Sequence, residues 1–136
     1  DQVAAMELVY AKEPGDFERR LLAMLEARFL RFIELTSASP HAAELFDLHG
    51  RLCGDVALAS QEKSEKLIAK LVRNAVNSGE ADLSAAGLSP ARVASVIFDC
   101  AHGAKGEDPS KSTPADYRIR LGLVVRVLVA GLAPRT

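Results

Sequence analysis

Between Phe17 and Thr36 the chain runs for twenty residues without proline or glycine, and apolar residues return every three or four positions throughout. At about 100° per residue, Phe17, Leu21, Met24, Leu25, Phe29, Phe32, Ile33 and Leu35 gather on one side of a helix. Glu18, Arg19, Glu26, Arg31 and Glu34 gather on the other. Asp16 is placed to cap the first turn, and Pro14-Gly15 ends whatever precedes it. A helix of this length spans about 30 Å, and its apolar face has to be covered along that whole distance. The covering elements have to be helices too. Aromatic residues are 5% of the chain and Trp is absent, so Ala, Leu and Val fill the core, whereas strands draw on aromatic and β-branched side chains.

The rest of the sequence supplies those helices. A short segment from Val3 to Lys12 carries Val3, Met6, Val9 and Tyr10 at helical spacing. Ser39-Pro40 opens a helix reaching about Ala59, with Leu45, Leu48, His49, Leu52, Cys53 and Val56 on its buried arc. Gly50 and Gly54 on its far side each weaken it by roughly 1 kcal/mol relative to Ala. Ser60 caps a new helix or marks a kink, and Glu62 to Asn77 turns Leu67, Ile68, Leu71, Val72, Ala75 and Val76 inward. Gly79 is a stop that can take left-handed backbone. After a polar connector, Ser89-Pro90 opens a helix to about Gly103. A loop rich in Gly, Pro, Ser and Lys, the segment expected to be most mobile, leads to Thr113-Pro114 and a final helix ending near Gly131. The expected architecture is one all-α domain over residues 1–136, a bundle of five main helices plus a short N-terminal one.

Several function classes fall away. With 49% apolar and 26% charged residues, enough surface can be buried to offset the entropy of ordering, so disorder is excluded. The longest apolar stretch, Leu121 to Leu132, contains Arg126 and falls short of the roughly 20 residues that a bilayer requires. No membrane partner is expected. A net charge of −1 gives no general attraction to nucleic acid. Cys53 and Cys100 form neither a CxxC pair nor a disulfide framework, and with no signal peptide visible the cytoplasm is the expected compartment. Gly103-Ala-Lys105-Gly106 lacks the spacing of a phosphate-binding loop, and no nucleophile is tied to a base, so neither a cofactor nor an enzymatic activity is expected.

The last two helices carry more apolar surface than one protomer needs. In the first, Val93, Ala94, Val96, Ile97, Phe98, Cys100 and Ala101 occupy over half the circumference, leaving a narrow polar strip of Arg92, Ser95, Asp99 and His102. In the second, Tyr117, Leu121, Val124, Leu128 and Leu132 make one face while Ile119, Leu123, Val127 and Ala130 make another. A small domain buries one such face in its own core, and the second needs a partner. Two helices from each of two subunits would form a four-helix interface, with Val93, Val96, Ile97, Cys100, Ile119, Leu123 and Val127 at the homodimer contact.

The opening Asp1-Gln-Val-Ala-Ala-Met, the stretch Ala75-Val-Asn-Ser-Gly79-Glu80 with Asp82, and Leu128-Val-Ala-Gly131-Leu132 together resemble the C-terminal ligand-binding and dimerisation domain of the TetR family of bacterial transcriptional repressors. The order of helices matches as well, and the resemblance covers nearly the whole chain. It implies a two-state sensor, in which a small apolar or amphipathic effector enters between the helices and shifts a linking helix. Residues 1–12 would be that linking helix, leading from an N-terminal helix-turn-helix domain. This chain carries no helix-turn-helix, so DNA would be a partner only through that missing domain.

The candidate ligand-binding residues are Phe29, Phe32, His49, Leu52, Cys53 and Phe98. His49 lies on an apolar arc one turn before Cys53 and reads either as a polar anchor in a cavity or as a core histidine satisfied by a backbone carbonyl. The phenylalanines read either as pocket walls or as core filler. His49 and Cys53 lack a third ligand, so no metal site is expected. Asp99 and His102 read as a solvated pair. The alternative to an effector-sensing domain is a helical protein-interaction domain whose apolar faces bind another protein.

Overall fold

In the computed structural model, which describes residues 2–37, 41, 44, 48, 54–106 and 112–135, the described residues form five helices and no strand. These are α1 (Gln2–Lys12), α2 (Phe17–Ser37), α3 (Gly54–Asn77), α4 (Pro90–Gly103) and α5 (Pro114–Gly131). The fold class is all-α, as the periodicity requires.

The helices start and stop where the sequence offers caps. Asp16 Oδ1 accepts from the Arg19 amide at 3.0 Å, Ser89 Oγ from the Arg92 amide at 3.2 Å, and Thr113 Oγ1 from the Asp116 amide at 3.1 Å. Each satisfies an amide that has no partner within its helix. Pro90 and Pro114 sit in the first turn, where a missing N–H costs nothing. Gly79 takes a φ of +83°, which lets the Glu80 and Ala81 amides return to the Ala75 carbonyl at 2.8 and 3.1 Å.

Helix α2 is the axis of the bundle and touches α1, α3, α4 and α5. Leu21, Met24, Leu25 and Ile33 on it are fully buried, with Phe17 and Phe29 close behind. Leu30 is buried as well, although it lies off the expected arc, because several helices crowd onto α2 at once. Leu35, expected inward, is exposed. On α3 the expected Ile68, Leu71, Val72 and Ala75 are buried, while Val76 at the margin of the arc is exposed.

No new helix starts at Ser60. Helix α3 is continuous from Gly54. The fully buried Ser64 donates its hydroxyl to the Ser60 carbonyl at 2.9 Å, which satisfies a polar side chain inside the helix without interrupting it. Residues 54–59 of the expected Pro40–Ala59 helix therefore belong to α3. The rest of it lies outside the described residues, except for His41, Glu44 and Leu48. Leu48, expected on the buried arc, is 49% exposed.

Long-range bonds lock the ends together. Glu80, just past α3, accepts from the Phe17 amide at the start of α2 at 2.8 Å. The Asp82 amide donates to the Leu132 carbonyl at 2.8 Å, which ties the connector to the end of α5. Tyr117, fully buried on α5, donates its hydroxyl to the Ala101 carbonyl on α4 at 3.0 Å. Among the described residues no helix is long and apolar enough to cross a membrane.

Candidate functional site

Two places in the bundle carry more chemistry than packing requires. The first lies where α2, α3 and α4 meet. Phe29 of α2 and Phe98 of α4 pack ring against ring, centroids 5.1 Å apart with planes tilted by 55°, and both are buried. Phe32, one turn further along α2, packs at the margin of the same core. The three phenylalanines expected to act together are thus brought together. His49, Leu52 and Cys53, assigned to the same pocket, lie outside the described residues.

Two cations sit on these rings. The Arg28 guanidinium carbon stands 5.0 Å from the Phe29 centroid and 5.4 Å from that of Phe98. Lys105 Nζ stands 4.4 Å from the Phe32 centroid and 5.4 Å from that of Phe29. Arg28 Nε donates to Ser64 Oγ at 3.1 Å, so α3 fixes the direction of the guanidinium. Lys105 is held through its carbonyl, which accepts from Ser112 Oγ at 3.0 Å. Arg120 Nη2 donates to the same hydroxyl at 2.6 Å. Lys105 is only 8% exposed, an unusual state for a lysine, which is seldom fully buried unless paired.

The electrostatic consequences are consistent across the cluster. Burial, reinforced by repulsion from Arg28, pulls the Lys105 ammonium down to about 8. Burial also lowers Arg28 from its ordinary value. His102 turns the edge of its ring onto Phe29, centroids 6.2 Å apart. Burial and then the positive charges of Lys105 and Arg28 hold it below the usual histidine range, with Asp99 acting weakly the other way. His102 therefore touches this cluster, while it and Asp99 both remain exposed, as expected of a solvated pair. Among the described residues no carboxylate pairs with Arg28 or Lys105. Glu26, on the same helix, goes to Arg118 at 3.6 Å.

Sequence reasoning missed Arg28 and Lys105. Arg28 follows Leu21 by seven residues and precedes Phe32 by four, spacings that put it on the apolar arc. Lys105 carries no such signal, because it lies beyond the last turn of α4 among glycines.

The second place is the outer surface of α4 and α5. Ile119, Leu123 and Val127 form a stripe along α5 and are 65%, 56% and 71% exposed, whereas Tyr117, Leu121 and Val125 on the opposite side are fully buried. Beside the stripe lies an apolar groove of about 190 Å³, lined in part by Leu88, Val93, Val96, Ile97, Val127 and Leu128. The seven residues assigned to a dimer contact divide here. Ile119, Leu123, Val127 and Val96 project outward, and Cys100 is half-buried. Val93 and Ile97 are 4% and 1% exposed, because that side of α4 packs on the protomer's own core, and they form the floor of the groove instead of projecting from it.

Comparison of the chain with protein-family models, curated proteins and solved structures gives no match.

Proposed function

We propose that this chain is the effector-sensing and dimerisation domain of a cytoplasmic TetR-like transcriptional repressor, acting on DNA through a helix-turn-helix domain outside the chain. The observation that carries this reading is the second apolar face of α5. Ile119, Leu123 and Val127 make a ridge, and the groove over Val93 and Ile97 makes a hollow beside it. Ridge and hollow on one surface are what a two-fold interface between identical subunits needs.

The remaining parts take the roles that such a sensor requires. The aromatic and cationic cluster between α2, α3 and α4 receives the effector. Helix α1 serves as the linking element. It is anchored at its C-terminal end, where the Tyr10 carbonyl accepts from Arg20 Nη2 at 3.1 Å and the Tyr10 hydroxyl bonds to Asn74 of α3. A change in how α2 and α3 pack is thereby passed to α1. The effector shifts the balance only as far as it binds one arrangement better than the other.

The test is Leu123→Glu, followed by sedimentation velocity. A carboxylate at the centre of the apolar stripe is expected to give folded monomers where the unmodified chain gives dimers. A variant that remains dimeric removes the interface from α5, and a helical interaction domain with a different partner for this face then becomes the better reading.

A further inference from the structure

The cluster around Phe29 specifies what kind of molecule the sensor takes, an inference that rests on the sensing role above. Lys105 is buried on two aromatic faces, and Arg28 lies on the same Phe29 ring and on Phe98. Among the described residues Arg28 bonds through Nε, toward Ser64. Among the described residues, neither its two Nη groups nor Lys105 Nζ has a hydrogen-bonding or ion-pairing partner. Cation–π contact offsets part of the cost of taking an ammonium out of water, but it leaves two like charges on one aromatic ring, both partly desolvated. A third group, His102, stands beside the Phe29 ring, its pKa lowered by burial and then by the same two charges. Among the described residues no anion faces these charges.

We propose that Arg28, Lys105 and the rings of Phe29, Phe32 and Phe98 bind a small organic carboxylate with an apolar body. The planar carboxylate matches the two Nη groups of the guanidinium fork, with the Lys105 ammonium beside it as a point charge. The apolar body, acyl or aromatic, lies along the phenylalanine rings. An inorganic anion would use the charges and leave the rings without a role.

The experiment is calorimetric titration of the chain at neutral pH with octanoate and with benzoate, each beside its primary amide. Acid and amide share shape and differ in charge. At least one acid is expected to bind tenfold or more tightly than its amide, the factor expected of a charge-assisted pair. Lys105→Met and Arg28→Gln are each expected to weaken the acid by about tenfold while leaving the amide unchanged. Lys105→Met removes a charge that burial disfavours, so it is expected to remain folded, which circular dichroism checks. Equal binding of acid and amide overturns the carboxylate assignment and leaves a sensor of neutral molecules standing. Absence of binding by either acid overturns it as well, as does inorganic phosphate binding as tightly as the better acid. A chain that binds the acid but stays monomeric keeps the carboxylate site and loses the dimerising sensor.

Discussion

Lys105 is where burial and charge conflict most sharply, and the conflict has a measurable sign. Its ammonium titrates near 8 in the folded chain against an ordinary 10.5. Below pH 8 both folded and unfolded chains hold the proton, and folding bears the whole cost of burying it. Between pH 8 and 10.5 the unfolded chain holds more protons, so stability rises with pH. Above 10.5 both forms are neutral and the cost is gone. The difference corresponds to roughly 3 kcal/mol. Urea unfolding of the unmodified chain and of Lys105→Met should therefore diverge at neutral pH, with the variant more stable, and converge as the pH approaches 10.5. A constant difference across that range would place the destabilisation elsewhere. None of this was legible in the sequence at position 105. A lysine beyond a helix end among glycines looks like an ordinary loop cation. Its burial follows from the rings of α2 and from Ser112, which lies across the loop. Arg28 was legible through its heptad spacing from Leu21. The aromatic trio was visible as a set, though not as a support for charge.

At the scale of elements, periodicity and caps placed α1, α2, α4 and α5 well, because each begins at a Ser, Thr or Asp with a bonded amide or presents an unbroken apolar arc. Ser60 misled because a serine near a helix pattern reads as a cap, whereas here the chain simply continues through it. The pairing of separate elements is what the pattern does not encode. Glu80 shows this. It looks like the polar residue after a glycine stop, yet one carboxylate oxygen accepts from the Phe17 amide at 2.8 Å and the other from Ser78 Oγ at 3.1 Å. It therefore supplies a cap, from sixty-three residues away, to a helix whose first turn carries a partial positive charge. Glu80→Ala is expected to lower stability by about 1–2 kcal/mol, read as a lower urea midpoint with an unchanged slope. A loss within a few tenths of a kcal/mol would mean that water replaces the carboxylate fully at the Phe17 amide.

For the whole molecule, the two faces of α5 decide the account. Tyr117, Leu121 and Val125 close the core of one protomer, and every helix contributes to that core around α2. Ile119, Leu123 and Val127 are left outside beside an apolar groove. The sequence separated Tyr117 and Leu121 from Ile119, Leu123 and Val127 by their angles on the helix, but it put Val124 on the inward face, where Val125 is the buried residue. It did not show that Val93 and Ile97 would be taken up by the protomer's own core, because a helix with a wide apolar arc does not state which part of the arc meets which neighbour. The partner proposed for this exposed face is a second copy of the chain. The most direct measurement is the mass of the unmodified chain in solution, by light scattering across a dilution series. The account predicts twice the 14.6 kDa of the single chain, retained down to micromolar concentration. A mass of 14.6 kDa at every concentration would contradict it.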